Sequence, residues 1–164
     1  MTTKNLTLGR SLQARVEERS GGTWVALTGN IDESANLAPL VDIPGPLVVD
    51  LGEMDRINSI GVRTWMNFVK ARETAGAALA IERCSPMMVG QITMITRFMG
   101  AQPHVKSLLV PYFCKKCERE HAEALTAEPG AHVSPTVPCL GCGGHMELEE
   151  LAETYDEALR RLTP

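Results

Sequence analysis

The chain has 164 residues, which is enough for one ordinary domain or for a domain with a small attached module. Its apolar fraction of 44% and charged fraction of 22% are typical of a folded globular protein and exclude a disordered chain. The formal net charge of −4, without any basic run, argues against nucleic acid as a partner.

The sequence also gives no sign of a membrane or secretory protein. No stretch approaches the roughly 20 apolar residues of a membrane-spanning helix, and the N-terminal residues lack the apolar core of a secretion signal. We therefore expect a cytoplasmic protein without a membrane partner. In that compartment the five cysteines are expected to be reduced or metal-bound rather than paired as disulfides.

The first part of the chain predicts a hairpin followed by a short helix. Residues 12–19 alternate apolar and polar side chains, two glycines mark a turn, and residues 23–29 predict the returning strand. Beyond it, Asp32 or Ser34 is expected to cap a short helix.

The rest of the chain predicts alternating strands and helices. Strands are expected at 47–52, where the apolar run indicates burial on both faces, at 77–84 and at 105–113. A helix follows residue 58, and another begins after Ser85 and ends at a glycine. This order predicts crossover connections within a mostly parallel or mixed sheet. The last predicted helix has an apolar face that consists of Leu151, Tyr155, Ala158, Leu159 and Leu162.

Four cysteines form two C-x-x-C pairs between the last strand and the last helix. They are Cys114, Cys117, Cys139 and Cys142, with 21 residues between the two pairs. Two cysteines on a tight turn can both bind one tetrahedral ion, and a second pair completes a four-thiolate site. The pattern resembles a zinc ribbon and predicts one structural Zn²⁺, with iron as the alternative occupant.

Other interpretations of this segment are open at the level of sequence. The cysteines could form disulfides or stay free, although a disulfide requires an oxidising compartment. A nearby histidine, at position 121, 132 or 145, could replace a cysteine as a ligand, but we expect all three to be solvated loop residues.

Two stretches, "GNID" and "LVVDLGEMDRINSIGVRTW", together with the order of elements, resemble the STAS domain of anti-anti-sigma factors and stressosome proteins. The resemblance implies an α/β fold with a mixed β-sheet flanked by helices, plus a small zinc-ribbon lobe inserted before the C-terminal helix. The implied boundaries are a STAS-like domain at 10–113, the ribbon-like insertion at 114–148 and the closing helix at 149–164.

The family resemblance also implies a function and a site. Relatives of this kind bind a protein partner, a serine kinase that doubles as an anti-sigma factor or a stressosome-like assembly, and phosphorylation weakens that contact. The implied phosphoacceptor is Ser59, and the implied partner-binding residues are Asp32, Asn58, Ser59, Ile60 and Gly61. The position before the serine, where the family pattern has an acid, is occupied by Asn58.

The alternative for Ser59 is a plain helix cap without any switch, contributing about 1 kcal/mol. For the whole chain, the alternatives are an unphosphorylated scaffold that uses the ribbon for recognition and a zinc–thiolate redox sensor. No nucleophile, phosphate-binding or metalloprotease motif is present in the sequence, so we do not expect an enzyme. Homo-oligomerisation is left open.

Overall fold

The structure, a computed structural model, describes residues 2–163 and is a mixed α/β fold. In these residues it has two β-sheets and four α-helices. The first sheet, in the spatial order β1-β2-β3-β4-β5, consists of β1 (Thr3–Thr7), β2 (Leu12–Arg19), β3 (Gly22–Ile31), β4 (Leu47–Ile57) and β5 (Leu79–Glu82). The second, in the order β7-β6-β9-β8, consists of β6 (Ser107–Cys114), β7 (Arg119–Thr126), β8 (Thr136–Pro138) and β9 (His145–Leu148). The helices are α1 (Ala38–Val41), α2 (Ser59–Thr74), α3 (Pro86–Met94) and α4 (Ala152–Leu162).

The predicted hairpin is confirmed, and its sheet continues in both directions. Strands β2 and β3 pair antiparallel, while β3, β4 and β5 run parallel. Strand β1 was not predicted, because its polar residues are almost all exposed and show no alternation. It is held by backbone pairing with β2 at the edge of the sheet.

The strand predicted at 47–52 is longer than expected and only one of its faces is apolar. Val49 and Leu51 are fully buried in the core. Asp50 points to the opposite face, where its buried carboxylate accepts hydrogen bonds from Arg83 Nε and from the Gly52 N–H, both at 2.8 Å. A buried carboxylate needs such partners, because an unpaired charge would be strongly destabilising.

Two helix predictions were partly wrong. Neither Asp32 nor Ser34 caps the short helix; its N-cap position is Leu37. Helix α3 begins after Ser85 as predicted but ends at Met94, before the glycine at position 100. Beyond that end the chain turns so that the Phe98 carbonyl accepts a hydrogen bond from the indole of buried Trp65.

The strand predicted at 105–113 does not join the first sheet as a full member. Val105 and Leu108 form two isolated parallel bridges with Ile81 and Cys84, and the chain then continues as the interior strand β6 of the second sheet. Beyond the end of β5 at Glu82, β6 pairs antiparallel with β7 over eight positions and with β9 over two.

The last helix packs against α3 and closes the apolar core. Four of its five predicted face residues are buried, and the fifth, Leu151, is exposed at the N-cap position. The Tyr155 hydroxyl donates a 2.7 Å hydrogen bond to the Leu109 carbonyl of β6. Pro164, the last residue of the predicted 149–164 segment, lies outside the described residues. The three domain boundaries stay predictions.

No helix among residues 2–163 combines the length and the apolar character that crossing a membrane requires.

Arg72, on helix α2, is fully buried and binds only backbone. Its guanidinium donates to the carbonyls of four residues in two loops, those of Val41, Ile43, Gly45 and Ala78. Burial lowers the pKa of Arg72, because the charged form loses its hydration. One side chain thus ties the α1–β4 connection to the start of β5.

We expect Arg72→Met to lower the free energy of unfolding by about 3 to 5 kcal/mol, since several buried carbonyls lose their donor. The matched control is Lys70→Met on the exposed side of the same helix, with an expected change within about 0.5 kcal/mol. Urea denaturation of both variants measures the difference, and equal midpoints would contradict the role assigned to Arg72.

Candidate functional site

The four cysteines of the two C-x-x-C pairs come together in space. Their sulfur atoms all lie within 4.8 Å of one another, with 3.5 Å between Cys114 and Cys142 and 3.6 Å between Cys117 and Cys139. In a tetrahedral zinc–thiolate site with bonds of about 2.3 Å, the sulfurs are about 3.8 Å apart. The donor set and its spacing therefore fit one metal ion.

Two hairpins position these sulfurs. The β6–β7 hairpin carries Cys114 at the end of β6 and Cys117 in the following turn, where Glu118 adopts a φ of 56°. The β8–β9 hairpin carries Cys139 and Cys142, and the Cys139 N–H donates to the Gly144 carbonyl. Because β6 pairs with β9, the two turns lie side by side at the same end of the second sheet.

Backbone amides in each turn donate to the first cysteine of the pair. The amides of Cys142 and Gly141 lower the pKa of Cys139 to about 6, and the amide of Cys117 lowers the pKa of Cys114. The neighbouring sulfurs of Cys114 and Cys139 raise the pKa of Cys117 to about 12, because they hold its proton between them. Metal binding requires the thiolate form, so a bound cation would displace that proton.

Cys84 and the three nearby histidines do not belong to the sulfur cluster. The fifth cysteine, Cys84, is buried elsewhere, and desolvation raises the pKa of its thiol. His121, His132 and His145 are exposed, and in the described part of the chain none belongs to the sulfur cluster. The guanidinium of Arg119 lies against Gly141, where a Cβ atom would be 2.7 Å from its Nε.

The second candidate site is the start of helix α2. The side chain of Asn58, the N-cap residue, accepts a 2.8 Å hydrogen bond from the Gly61 N–H. Ser59 is the first helical residue and is exposed, and Ile60 is 56% exposed. Gly61 is buried so close to β3 that a Cβ atom would lie 1.8 Å from the Ile31 carbonyl oxygen.

The acidic turn near Asp32 lies beside this helix start. The Asn58 Nδ2 atom donates to Glu33 Oε2 at 3.0 Å, although the two residues are 25 positions apart in the sequence. Asp32 itself accepts from the amide and hydroxyl of Ser34, and the hydroxyl is the main cause of its lowered pKa. The structure therefore brings all five predicted partner-binding residues to one region.

Two residues of this region were missed from the sequence. Glu33 bridges Asn58 and Arg10, with 3.5 Å between Arg10 Nη2 and Glu33 Oε1. Glu33 stands next to Asp32 in the same turn, which could have drawn attention to it. Nothing in the local pattern marks Arg10, because its place beside the turn depends on the β2–β3 pairing.

No known protein-family model matches this chain, and no curated protein is significantly similar to it.

We expect Gly61→Ala to destabilise the fold by about 2 kcal/mol or more, because the added methyl collides with the Ile31 carbonyl. Gly90→Ala, in helix α3, is the matched control: a Cβ there meets open space, and alanine should stabilise the helix by about 0.5 to 1 kcal/mol. Thermal unfolding should give midpoint shifts of opposite sign. A Gly61→Ala protein as stable as the unsubstituted chain would refute the close contact.

For the metal cluster, we expect Cys114→Ala to abolish retention of a bound metal during dialysis against a chelator, because one of four ligands is lost. Cys84→Ala, at the cysteine outside the cluster, should keep the metal. Native mass spectrometry of both variants provides the measurement. Metal loss from both, or from neither, would contradict the assignment of the ligands.

Proposed function

We propose that this chain is a non-enzymatic protein-binding module of bacterial signalling, with a STAS-like fold and the role of an anti-sigma-factor antagonist. In this proposal a partner protein, such as a serine kinase, docks on the start of helix α2, and Ser59 is the phosphoacceptor. The order β3–α1–β4–α2–β5, with the serine directly after the N-cap, is the arrangement that the resemblance implies.

The observation that carries the proposal is the surface around Ser59, here called the α2 surface: Asp32, Glu33, Asn58, Ser59 and Ile60. Ile60 is one of four large apolar side chains exposed among the described residues, and hydrogen-bonding groups lie next to it. An exposed apolar side chain surrounded by polar groups is the composition of a small docking site. The close contact of Gly61 with β3 fixes the position of this helix start against the sheet.

Phosphorylation of Ser59 would change this surface without unfolding it. The phosphate would add about −1.5 to −2 charges above the first turn of α2, where free N–H groups and the helix dipole favour an anion. The cap made by the Asn58 side chain to Gly61 would stay in place. Glu33 lies on the same surface, so the added charge would also repel an acidic partner surface more strongly.

For the cysteine cluster, we propose one structural zinc ion, with iron as the alternative occupant. Four thiolates close the coordination shell and leave no position for a substrate or an activated water. The short strands β8 and β9 bury few side chains, so binding of the ion contributes directly to the folding of this lobe. The role of the metal in this proposal is to hold the two hairpins together.

A second candidate function is supported by one exposed residue. Leu140, at the tip between Cys139 and Cys142, is 93% exposed. A scaffold that is never phosphorylated could use this tip for recognition. The two candidate functions therefore predict contact with a partner at different places, Ile60 or Leu140.

A photoreactive amino acid placed at Ile60, at Leu140 or at exposed Met94 in cells distinguishes these functions. We expect capture of a partner from position 60, and we expect Ser59→Asp, but not Ser59→Ala, to reduce it about tenfold through the added negative charge. Phosphate mapped to Ser59 in protein isolated from native cells would support the switch directly.

The control position, Met94, should capture nothing specific. Capture from position 140 alone, unaffected by Ser59→Asp, would favour the scaffold. Capture from position 60 without any effect of Ser59→Asp would leave a docking module and reject the phosphorylation switch.

A further inference from the structure

We propose that the cysteine cluster is also a modification site for hydroperoxides, which oxidise it to two defined disulfides, Cys114–Cys142 and Cys117–Cys139. This inference depends on the proposed function only in one respect: if a metal occupies the cluster, oxidation releases it. The pairing joins cysteines of different C-x-x-C pairs, although two cysteines of the same pair are closer in sequence.

The distances between sulfur atoms support this pairing. All four sulfurs lie within 4.8 Å of one another, and the contacts of 3.5 and 3.6 Å both join cysteines of different C-x-x-C pairs. A disulfide bond is about 2.05 Å long, so each of these two contacts needs to close by about 1.5 Å. We expect side-chain rotation within the two turns to supply this movement.

In each of the two sulfur–sulfur contacts, one cysteine is accessible to peroxide and the other is buried. The accessible cysteine can react with peroxide first, and the buried one can then form the disulfide with it. Cys117 is exposed and its neighbour Cys139 is buried, while Cys142 is partly exposed and its neighbour Cys114 is buried. Peroxide can therefore reach one member of each pair from solvent. The buried member lies within 3.6 Å and is shielded from further oxidant.

The reaction balances for each pair. The exposed sulfur passes any proton it carries to the buried sulfur beside it and attacks the O–O bond of the hydroperoxide; a sulfur–oxygen bond forms, and hydroxide or alkoxide leaves. The buried sulfur then attacks the sulfenic sulfur, a sulfur–sulfur bond forms, and a second hydroxide leaves, as water where the buried sulfur carried the proton. Each disulfide thus takes two electrons from sulfur and reduces one hydroperoxide. With both pairs oxidised, a divalent metal has lost all four thiolate ligands.

One basic residue lies near an accessible sulfur. A Cβ atom on Gly144 would be 3.4 Å from the Cys142 sulfur and 3.8 Å from Lys116 Cδ, so the two side chains run close together. A cationic side chain near a cysteine favours its thiolate.

Disulfides between the pairs would replace the metal as the link between the hairpins. Each would join the β6–β7 turn to the β8–β9 turn, which is the connection that a bound ion provides. Disulfides within a pair would leave the hairpins unlinked. The oxidised lobe is therefore expected to keep its fold after the metal has left.

Cys84 is the internal comparison, because it is fully buried and does not belong to the sulfur cluster. We expect hydrogen peroxide to modify Cys84 at least about a hundred times more slowly than Cys117, since a buried thiol is inert. Comparable modification of Cys84 would show that oxidation follows unfolding, and it would overturn the assignment to geometry and exposure.

The experiment uses the full chain, with its metal content measured first by native mass spectrometry, and hydrogen peroxide at up to two equivalents. Remaining thiols are alkylated and the protein is digested with trypsin without reduction. Cleavage after Lys115, Lys116 and Arg119 separates Cys114 from Cys117, while Cys139 and Cys142 stay in one peptide. The expected product joins three peptides, and fragmentation should assign the links 114–142 and 117–139.

The initial metal content and the disulfide map answer separate questions. A metal-free starting protein counts against the proposed zinc occupant, while the disulfide map still tests this inference. A main product with links 114–117 and 139–142, or with links 114–139 and 117–142, would overturn the pairing. Sulfinic acids without disulfides would overturn the modification site itself.

Discussion

The backbone pairing of β6 with β7 and β9 is the interaction on which most of the molecule depends. At one end, β6 continues from the two parallel bridges beside β5, so it joins the two sheets. At its middle, the Leu109 carbonyl accepts the Tyr155 hydroxyl and anchors the last helix. At its other end it presents Cys114 to the sulfur cluster. A change in register here would displace the cysteine cluster and the closing helix together, because one strand positions both.

The two candidate sites differ in the contacts that form them. At the start of α2, a glycine allows the helix to approach the Ile31 carbonyl, and Asn58 caps the first turn. At the cysteine cluster, the pairing of β6 with β9 sets two hairpin turns side by side and brings the four sulfurs together. The first site thus depends on a helix–sheet contact, and the second depends on strand pairing.

Two buried charged side chains find their hydrogen-bond partners within the fold. Arg72 donates to carbonyl oxygens, and Asp50 accepts from Arg83 and from a backbone amide. Such contacts hold loops and strand ends in one arrangement, because any shift would leave a buried polar group without its partner.

The sequence by itself determined the elements whose signals come from neighbouring residues. The alternation of 12–19, the helix after residue 58, the buried face of the last helix and the spacing of the four cysteines were all sufficient, because strand, helix and turn geometry repeat over a few positions. Tertiary structure alone decided the edge strand β1, the departure of β6 into a second sheet, the contact of Glu33 with Asn58 and the pairing of sulfurs across the two turns. The Glu33 contact and the sulfur contacts join segments far apart in the sequence, and the positions of β1 and β6 depend on backbone pairing at a sheet edge, which no pattern of side chains encodes.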